Sequence, residues 1–491
     1  MPPNPPPMIT TEGRGFGALR YDKSVMAPSS LCSVVSWPRE PCHARSRASP
    51  CRHGPKHSII RSFVQLYDQF SGCGAHLSTA RVIFWAADVP ARGLRPLRHP
   101  DEQPSTRSTL NEQHMVVVQR THDGGIVRIG RSVVFTQAGR PLEIRSHEVP
   151  APAPHELLVR VTHAGVCGTD AHRLSGDVRT PATPICFGHE GVGVVDALGD
   201  EVTGDRAGAT LSVGDRVSWS PPTPCGSCSV CAAGGSTALC EALAWPVPYG
   251  AATSAGYQDY ATIKDTSAFY RLADHTTSES AIAFGCALPT ALGGVRRLGD
   301  LSGATVVVQG AGPVGLAACL SSSLSGAAHI IIVGDPSSRL TAAARFGADH
   351  AIALAGSTGE QRVAEIMDLT DGRGADVVIE AAGHVSAFTE GVSMVAVAGT
   401  YLVMGIYSGS ATVAFNPVVI NNRDLVIRGS LGNGLADFQR AVEVAGEHGR
   451  ERDFDSLISH RFELAETQSA IECVRRGEAS KAVVVPTGVT S

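Results

Sequence analysis

The sequence has no run of about 18 uncharged apolar residues, which excludes a transmembrane helix. It has no strong charge of one sign. A net charge of −5 over 491 residues gives nucleic acid or an anionic membrane nothing to be drawn to. It shows no internal repeat, so a solenoid or propeller is not expected. Its first residues, Met1-Pro-Pro-Asn-Pro-Pro-Pro, cannot form the apolar helical core of a secretory signal. What remains is a water-soluble chain, 43% apolar and 18% charged, long enough for two or three domains.

The mean charge hides an asymmetry. Residues 1–114 carry 14 Lys/Arg against 8 Asp/Glu, and the remainder 27 against 38. The first segment has no sustained periodicity and is expected to be a low-order extension. Whether it is a presequence, a disordered tail or an extension of the gene model stays open. From residue 115 to 287 short β-branched runs separated by Gly and Pro turns predict a compact β-rich domain of barrel type, and 432–491 returns to mixed structure, with a helix near Asp437–His448 and a last strand at Ala482–Val485. Between them, residues 288–431 alternate continuous apolar strands with helices, the pattern of a parallel sheet covered on both faces. The fold class is therefore α/β with a second, β-rich domain. The run Ala281 to Leu288 reads as helical.

Thirteen cysteines could mean a disulfide scaffold, but their clustering argues for metal and a reducing compartment, the cytoplasm. Cys225, Cys228, Cys231 and Cys240 stand at C-x₂-C-x₂-C-x₈-C within a lobe at about 222–243. Four thiolates can close a tetrahedron around Zn²⁺ and leave no position for chemistry. A second, open site is expected from Gly165-Val-Cys-Gly-Thr-Asp-Ala-His172 and Gly188-His-Glu-Gly191, with Cys167 and His189 as ligands and Cys286 as the third. Glu190 suits the surroundings of that metal, and Asp170 can accept the free N–H of His189. Thr169 and His172 have the chemistry of a proton path from a buried hydroxyl to solvent.

Val306-Val-Val-Gln-Gly310-Ala-Gly312-Pro313-Val314-Gly315 is a strand, a glycine turn and a helix start, a phosphate cradle for a dinucleotide. The acid expected to hold the adenosine ribose is displaced: Gly334 stands at the usual spacing and Asp335 follows it. Glycine would leave room for a 2′-phosphate, with Ser337, Ser338 and Arg339 to bind it, so NAD and NADP both stay open.

The motifs GVCGTDAH, GHEGVG, the four-Cys lobe, GCALPTALGGV, QGAGPVGL and VVIEAAG together resemble the zinc-containing medium-chain alcohol dehydrogenases from about Val116 to the C-terminus. The resemblance implies a GroES-like catalytic domain in two segments, 115–287 and 432–491, a Rossmann domain over 288–431 between them, and a homodimer or homotetramer. It assigns Cys167, His189 and Cys286 to a catalytic zinc, the lobe to a structural zinc, and Thr169 and His172 to a proton relay. Cysteine at 286 matches the alcohol dehydrogenases proper, since the polyol and threonine enzymes often carry Glu there. The last gap in the lobe is one residue longer than the family pattern, and residues 1–114 have no counterpart. The function implied is hydride transfer between NAD(P) and a small alcohol or its aldehyde or ketone. Two alternatives stand beside it: a zinc-independent enone or quinone reductase of the same fold, and a non-catalytic NAD(P)-binding protein.

Overall fold

A computed structural model describes residues 81–84, 116–120, 126–178, 180, 184–250, 253–405 and 412–486, all within one compact unit, Leu77–Ser491. Most of the expected N-terminal extension lies outside the described residues. One piece of it does not: Arg81–Phe84 is a strand, paired antiparallel with Val116–Arg120.

Three sheets carry the unit. The first is antiparallel, Arg81–Phe84, Val116–Arg120, Ile126–Phe135 and Glu143–Val149 in that order, with Ile185–Cys186 joined to the third strand. The second runs Ala268–Arg271, Arg216–Ser220, Gly191–Leu198, Glu156–Val166, Lys481–Val485 and Ile458–Glu463. Its central strand, Glu156-Leu-Leu-Val-Arg-Val-Thr-His-Ala-Gly-Val166, is buried along almost its whole length. Continuous apolar content suits a strand covered on both faces. It ends one residue before Cys167, so the proposed metal site begins at the tip of the stiffest strand available.

The third sheet is wholly parallel, in the order His350–Ala353, His329–Gly334, Thr305–Gln309, Ala375–Glu380, Val395–Val403, Val426–Gly429. Helices Pro313–Leu324, Ser337–Ala343, Gly359–Leu369 and Val385–Met394 supply the crossovers. This is the doubly wound arrangement expected between the two halves of the β-rich part. Among the described residues no helix is long and apolar enough to cross a membrane.

Two details differ from the sequence reading. Helix Leu435–His448 was assigned by position to the catalytic part, but its Ala441, Val444 and Ala445 are buried in the core of the nucleotide sheet. The chain rejoins the catalytic sheet only at Ile458. A helix goes where its apolar stripe is covered, and this one faces helix Ala287–Arg296. The run Ala281 to Leu288 is not one helix. Helix Ser278–Ile282 stops, Gly285 takes a φ of +52°, and a new helix starts at Ala287. A side chain at 285 would lie 2.0 Å from the Glu190 carboxylate, so glycine is required both for the turn and for the approach.

The two parts are joined by an aromatic cluster. Phe284, Phe346 and Phe454 are almost fully buried, with ring centroids 5.0 to 5.9 Å apart in edge-to-face and tilted pairs. Phe284 is two residues from Cys286, so this cluster fixes the backbone that presents the thiol. Phe454→Ala should cost about 3–5 kcal/mol of stability through the cavity it leaves. Urea unfolding midpoints of the two proteins will measure it.

Candidate functional site

The structure brings together residues far apart in sequence. Cys167 follows the central strand as the N-cap of helix Gly168–Ser175, His189 and Glu190 lie just before strand Gly191–Leu198, and Cys286 caps helix Ala287–Arg296. One donor atom from each of Cys167, His189, Glu190 and Cys286 lies within 4.8 Å of all the others. The two sulfurs are 3.4 Å apart.

Asp170 organises the first half of this cluster. Its carboxylate is 1% exposed. It accepts from His189 Nδ1 (3.1 Å), from the Cys167 backbone N–H (3.1 Å) and from the Tyr257 hydroxyl (2.8 Å). The bond to Nδ1 fixes the ring and leaves Nε2 free for a cation. Burial lowers the His189 pKa, but the Asp170 carboxylate and the Cys167 sulfur outweigh it and hold it well above its usual value. The hydrogen bond from Cys286, with burial opposing and His189 assisting, draws Cys167 well below a normal thiol, while Cys286 is pushed well above. Two sulfurs and an imidazole sharing labile protons are the donor set that a soft divalent ion displaces protons to bind. The residues present therefore fit zinc.

Glu190 organises the second half. Its Oε1 accepts the Cys286 backbone N–H at 2.8 Å and its Oε2 meets Lys481 Nζ at 2.5 Å. Both side chains of the ion pair are 3% exposed. Burial opposes the Lys481 charge, but the Glu190 carboxylate together with the Cys167 and Cys286 sulfurs outweighs it and raises the ammonium pKa. A side chain at Gly165 would come within 1.8 Å of Glu190 Oε2. The carboxylate is thus clasped by three chain segments.

Thr169 Oγ1 is 3.8 Å from Cys167 Sγ. His172 stands one helical turn on, half-exposed, with Nδ1 3.2 Å from Asp177 Oδ2. No direct bond joins Thr169 to His172 among the described residues. Trp245 turns an edge to the His189 ring, 6.4 Å between centroids. A cleft beside the cluster is lined by His189, Cys286, Trp219, Phe284 and Asn433, among others.

In the lobe, Cys225, Cys228, Cys231 and Cys240 also lie within 4.8 Å of one another. The backbone N–H groups of Ser227 and Cys228 aim at Cys225 and draw its pKa down to about 6, whereas the Cys228 thiol pushes Cys231 up to about 12. Backbone donors pointed at sulfur are prepared for thiolate, and these four fit a closed tetrahedral zinc. All nine cysteines of the described residues are free of disulfides.

At the nucleotide end, Gly310 has a φ of +110° and its N–H donates to Val333 O at 2.7 Å. A side chain at Gly315 would strike Gly310 O at 1.7 Å. Gly312, the cap of helix Pro313–Leu324, has open space and no side-chain cap. Together with Pro313 and Val314 it leaves a half-exposed helix start that fits a pyrophosphate. The ribose end differs from the expectation. A side chain at Gly334 would meet Ala311 N at 2.7 Å, so this glycine lets the strand end abut the glycine turn, and room for a phosphate is not needed to explain it. Asp335 is the next residue, half-buried. Arg339 does not join Ser337 and Ser338. Its Nη2 donates to the carbonyl oxygens of Ala479 (2.7 Å) and Gly477 (3.4 Å).

The geometry is matched by the comparisons. Residues 153–273 fit the model of the alcohol dehydrogenase GroES-like domain and residues 313–447 that of the zinc-binding dehydrogenase. The 5-exo-hydroxycamphor dehydrogenase of Pseudomonas putida is 36% identical over 370 residues, 73% of this chain and 99% of the relative. The chain belongs to the zinc-binding dehydrogenase family. An L-threonine 3-dehydrogenase from Pyrococcus horikoshii is 30% identical over 72% of this chain and 97% of its own length. Among solved structures, an alcohol dehydrogenase from Thermotoga maritima superposes with a TM-score of 0.68, at 28% identity over 73% of this chain and 99% of that one. A putative zinc-binding dehydrogenase from Sinorhizobium meliloti bound to NADP gives 0.63, at 25% identity and the same coverage. As a member of this family the protein is an oxidoreductase of the medium-chain type.

Sequence reasoning missed Lys481, Tyr257, Trp245 and Asn433. Lys481 left a signal: a lone cation opening the buried strand Lys-Ala-Val-Val-Val485 demands a buried partner. Removing it should strand the Glu190 charge. Lys481→Met is expected to destabilise by about 3–5 kcal/mol, and Glu190→Gln in the same chain to recover most of that. Unfolding midpoints of the single and double variants will measure both.

Proposed function

We propose that Cys167, His189 and Cys286 hold one catalytic zinc, that the four-Cys lobe holds one structural zinc, and that the substrate is a primary or secondary alcohol, or the corresponding aldehyde or ketone. The observation that carries this reading is the convergence of two sulfurs, an imidazole and a carboxylate within 4.8 Å beside a small cavity. Relatives named for hydroxycamphor, threonine and sorbitol support a hydroxyl-bearing substrate. The free thiols support a reducing, cytoplasmic setting, and a homodimer or homotetramer is the proposed assembly.

When bound, zinc supplies a Lewis acid for the substrate oxygen and the nicotinamide a hydride acceptor. The chain does the rest. Asp170 keeps the His189 tautomer that leaves Nε2 free. Lys481 and the Cys286 N–H hold the Glu190 carboxylate at the edge of the cluster. Thr169 Oγ1 would accept the hydroxyl proton as it gives up its own, which a bridging hydroxyl or water would have to carry to His172, half-exposed one turn along the helix and steadied by Asp177. Trp245 covers the His189 side against water.

Stripping the metal, or Cys167→Ala, should lower alcohol turnover by about 10³-fold or more while dinucleotide binding persists. Metal analysis beside a substrate panel run with both cofactors will check this. Turnover of enones that survives chelation would instead support the zinc-independent reductase, and binding without turnover the non-catalytic reading.

The cofactor is NAD or NADP. Arg339 would have to leave the carbonyls of Gly477 and Ala479 to reach a 2′-phosphate. Arg339→Ala should therefore shift NAD and NADP affinities by a common factor in titrations of the two. A loss confined to NADP of about tenfold or more would show that Arg339 reads the phosphate.

A further inference from the structure

The four-Cys lobe touches the cleft through one loop. Residues 430–434 follow Val426–Gly429, the last strand of the parallel sheet, at its carboxyl end. That is the edge along which a dinucleotide lies in this architecture. Asn433 lines the cleft with His189, Glu190 and Cys286. Its carbonyl oxygen accepts two bonds from one residue of the lobe, Thr237 N–H at 2.8 Å and Thr237 Oγ1–H at 3.0 Å. The flanking glycines allow this closeness. Gly432 has a φ of +59°, and a side chain there would lie 2.9 Å from Ser236 Oγ; one at Gly434 would lie 3.1 Å from Gly235 O. On its other side the loop is tied to the helices below. Gly434 N–H donates to Asp437 Oδ2 at 2.9 Å, Asp437 pairs with Arg296, and Tyr270 Oη donates to Leu435 O at 2.9 Å.

One side of the loop is therefore anchored to the nucleotide part, and the other hangs on Thr237. Thr237 in turn opens the short helix Thr237–Leu239, which ends at Cys240. A lobe of this kind keeps its shape only while its thiolates share an ion.

We infer that Thr237 is a positioning residue: by pinning the Asn433 carbonyl it sets the cleft wall on which the nicotinamide end of the dinucleotide rests, so the lobe's metal acts on cofactor binding as well as on stability. This builds on the dinucleotide reading above.

Thr237→Pro in the full chain tests it. Proline removes both donors, yet the first position of a helix accepts it, and Ser236 already has the extended φ of −62° and ψ of 132° that a following proline demands. The Cys240 N–H bond to Thr237 O at 3.1 Å is untouched. Two ligands separate the ends of the site. ADP-ribose, with or without a 2′-phosphate, lacks only the nicotinamide ring, while the reduced dinucleotide carries it. The variant should keep its metal content and its ADP-ribose affinity, and lose about five- to tenfold in affinity for the reduced dinucleotide. Thr237→Val, which keeps the backbone donor, should show a smaller loss of the same kind, and it decides the matter if the proline variant sheds metal. Equal losses for both ligands, or none for the reduced dinucleotide, would overturn the inference. A wild-type protein that binds neither ligand would overturn the reading of the nucleotide site instead.

Discussion

The Glu190 carboxylate is the constraint on which the site depends. A buried anion must be neutralised and hydrogen-bonded, or it opens the fold around it. Here it is met by Lys481 from the last strand and by the Cys286 N–H from the start of a helix in the other half of the unit. Gly165 and Gly285 have no side chains because the carboxylate fills the space they would need. Four segments remote in sequence are drawn to one point, and the sulfurs of Cys167 and Cys286 meet there. The arrangement also accounts for the broken helix at Gly285. A continuous helix would bury the Cys286 N–H in its own ladder and leave Glu190 Oε1 without its backbone donor.

A second buried carboxylate does the same for the imidazole. Asp170 sits three residues after Cys167, which lets one short helix present both a thiol and the brace for His189. Tyr257 donates to the same carboxylate from a loop of the catalytic sheet. Each hydrogen bond is modest taken alone. Together, with water excluded, they leave His189 one orientation. The pairing of Asp170 with His189 and of Lys481 with Glu190 holds the donor atoms of both halves of the cluster in place.

Much of this was legible along the chain. Short-range spacings carry their own meaning: the four lobe cysteines fall within sixteen residues, and the Gly310 to Gly315 turn and the Cys167 to His172 stretch within six each, so distance in sequence is close to distance in space. The strands of the parallel sheet were legible because their buried faces need unbroken apolar runs. Arg339 shows the opposite case. Its position after the second strand suggested a phosphate ligand, but a guanidinium bonds to the nearest acceptors, and the turn at Gly477 to Ala479, some 140 residues away, supplies two carbonyls. Gly334 likewise looked like space left for a ligand and is instead a contact between strand end and glycine turn.

The sequence by itself determined the chemistry available: which residues could bind zinc, where a pyrophosphate could rest, and that two kinds of sheet would alternate. Local rules suffice for these, because periodicity, capping and ligand spacing act over a few residues. Only the tertiary structure decided that Arg339 turns to Ala479, that Lys481 answers Glu190, and that the lobe leans on Asn433. Those contacts join segments about 100 to 300 residues apart, and burial pairs charges by where the chain finally packs, which no local pattern encodes.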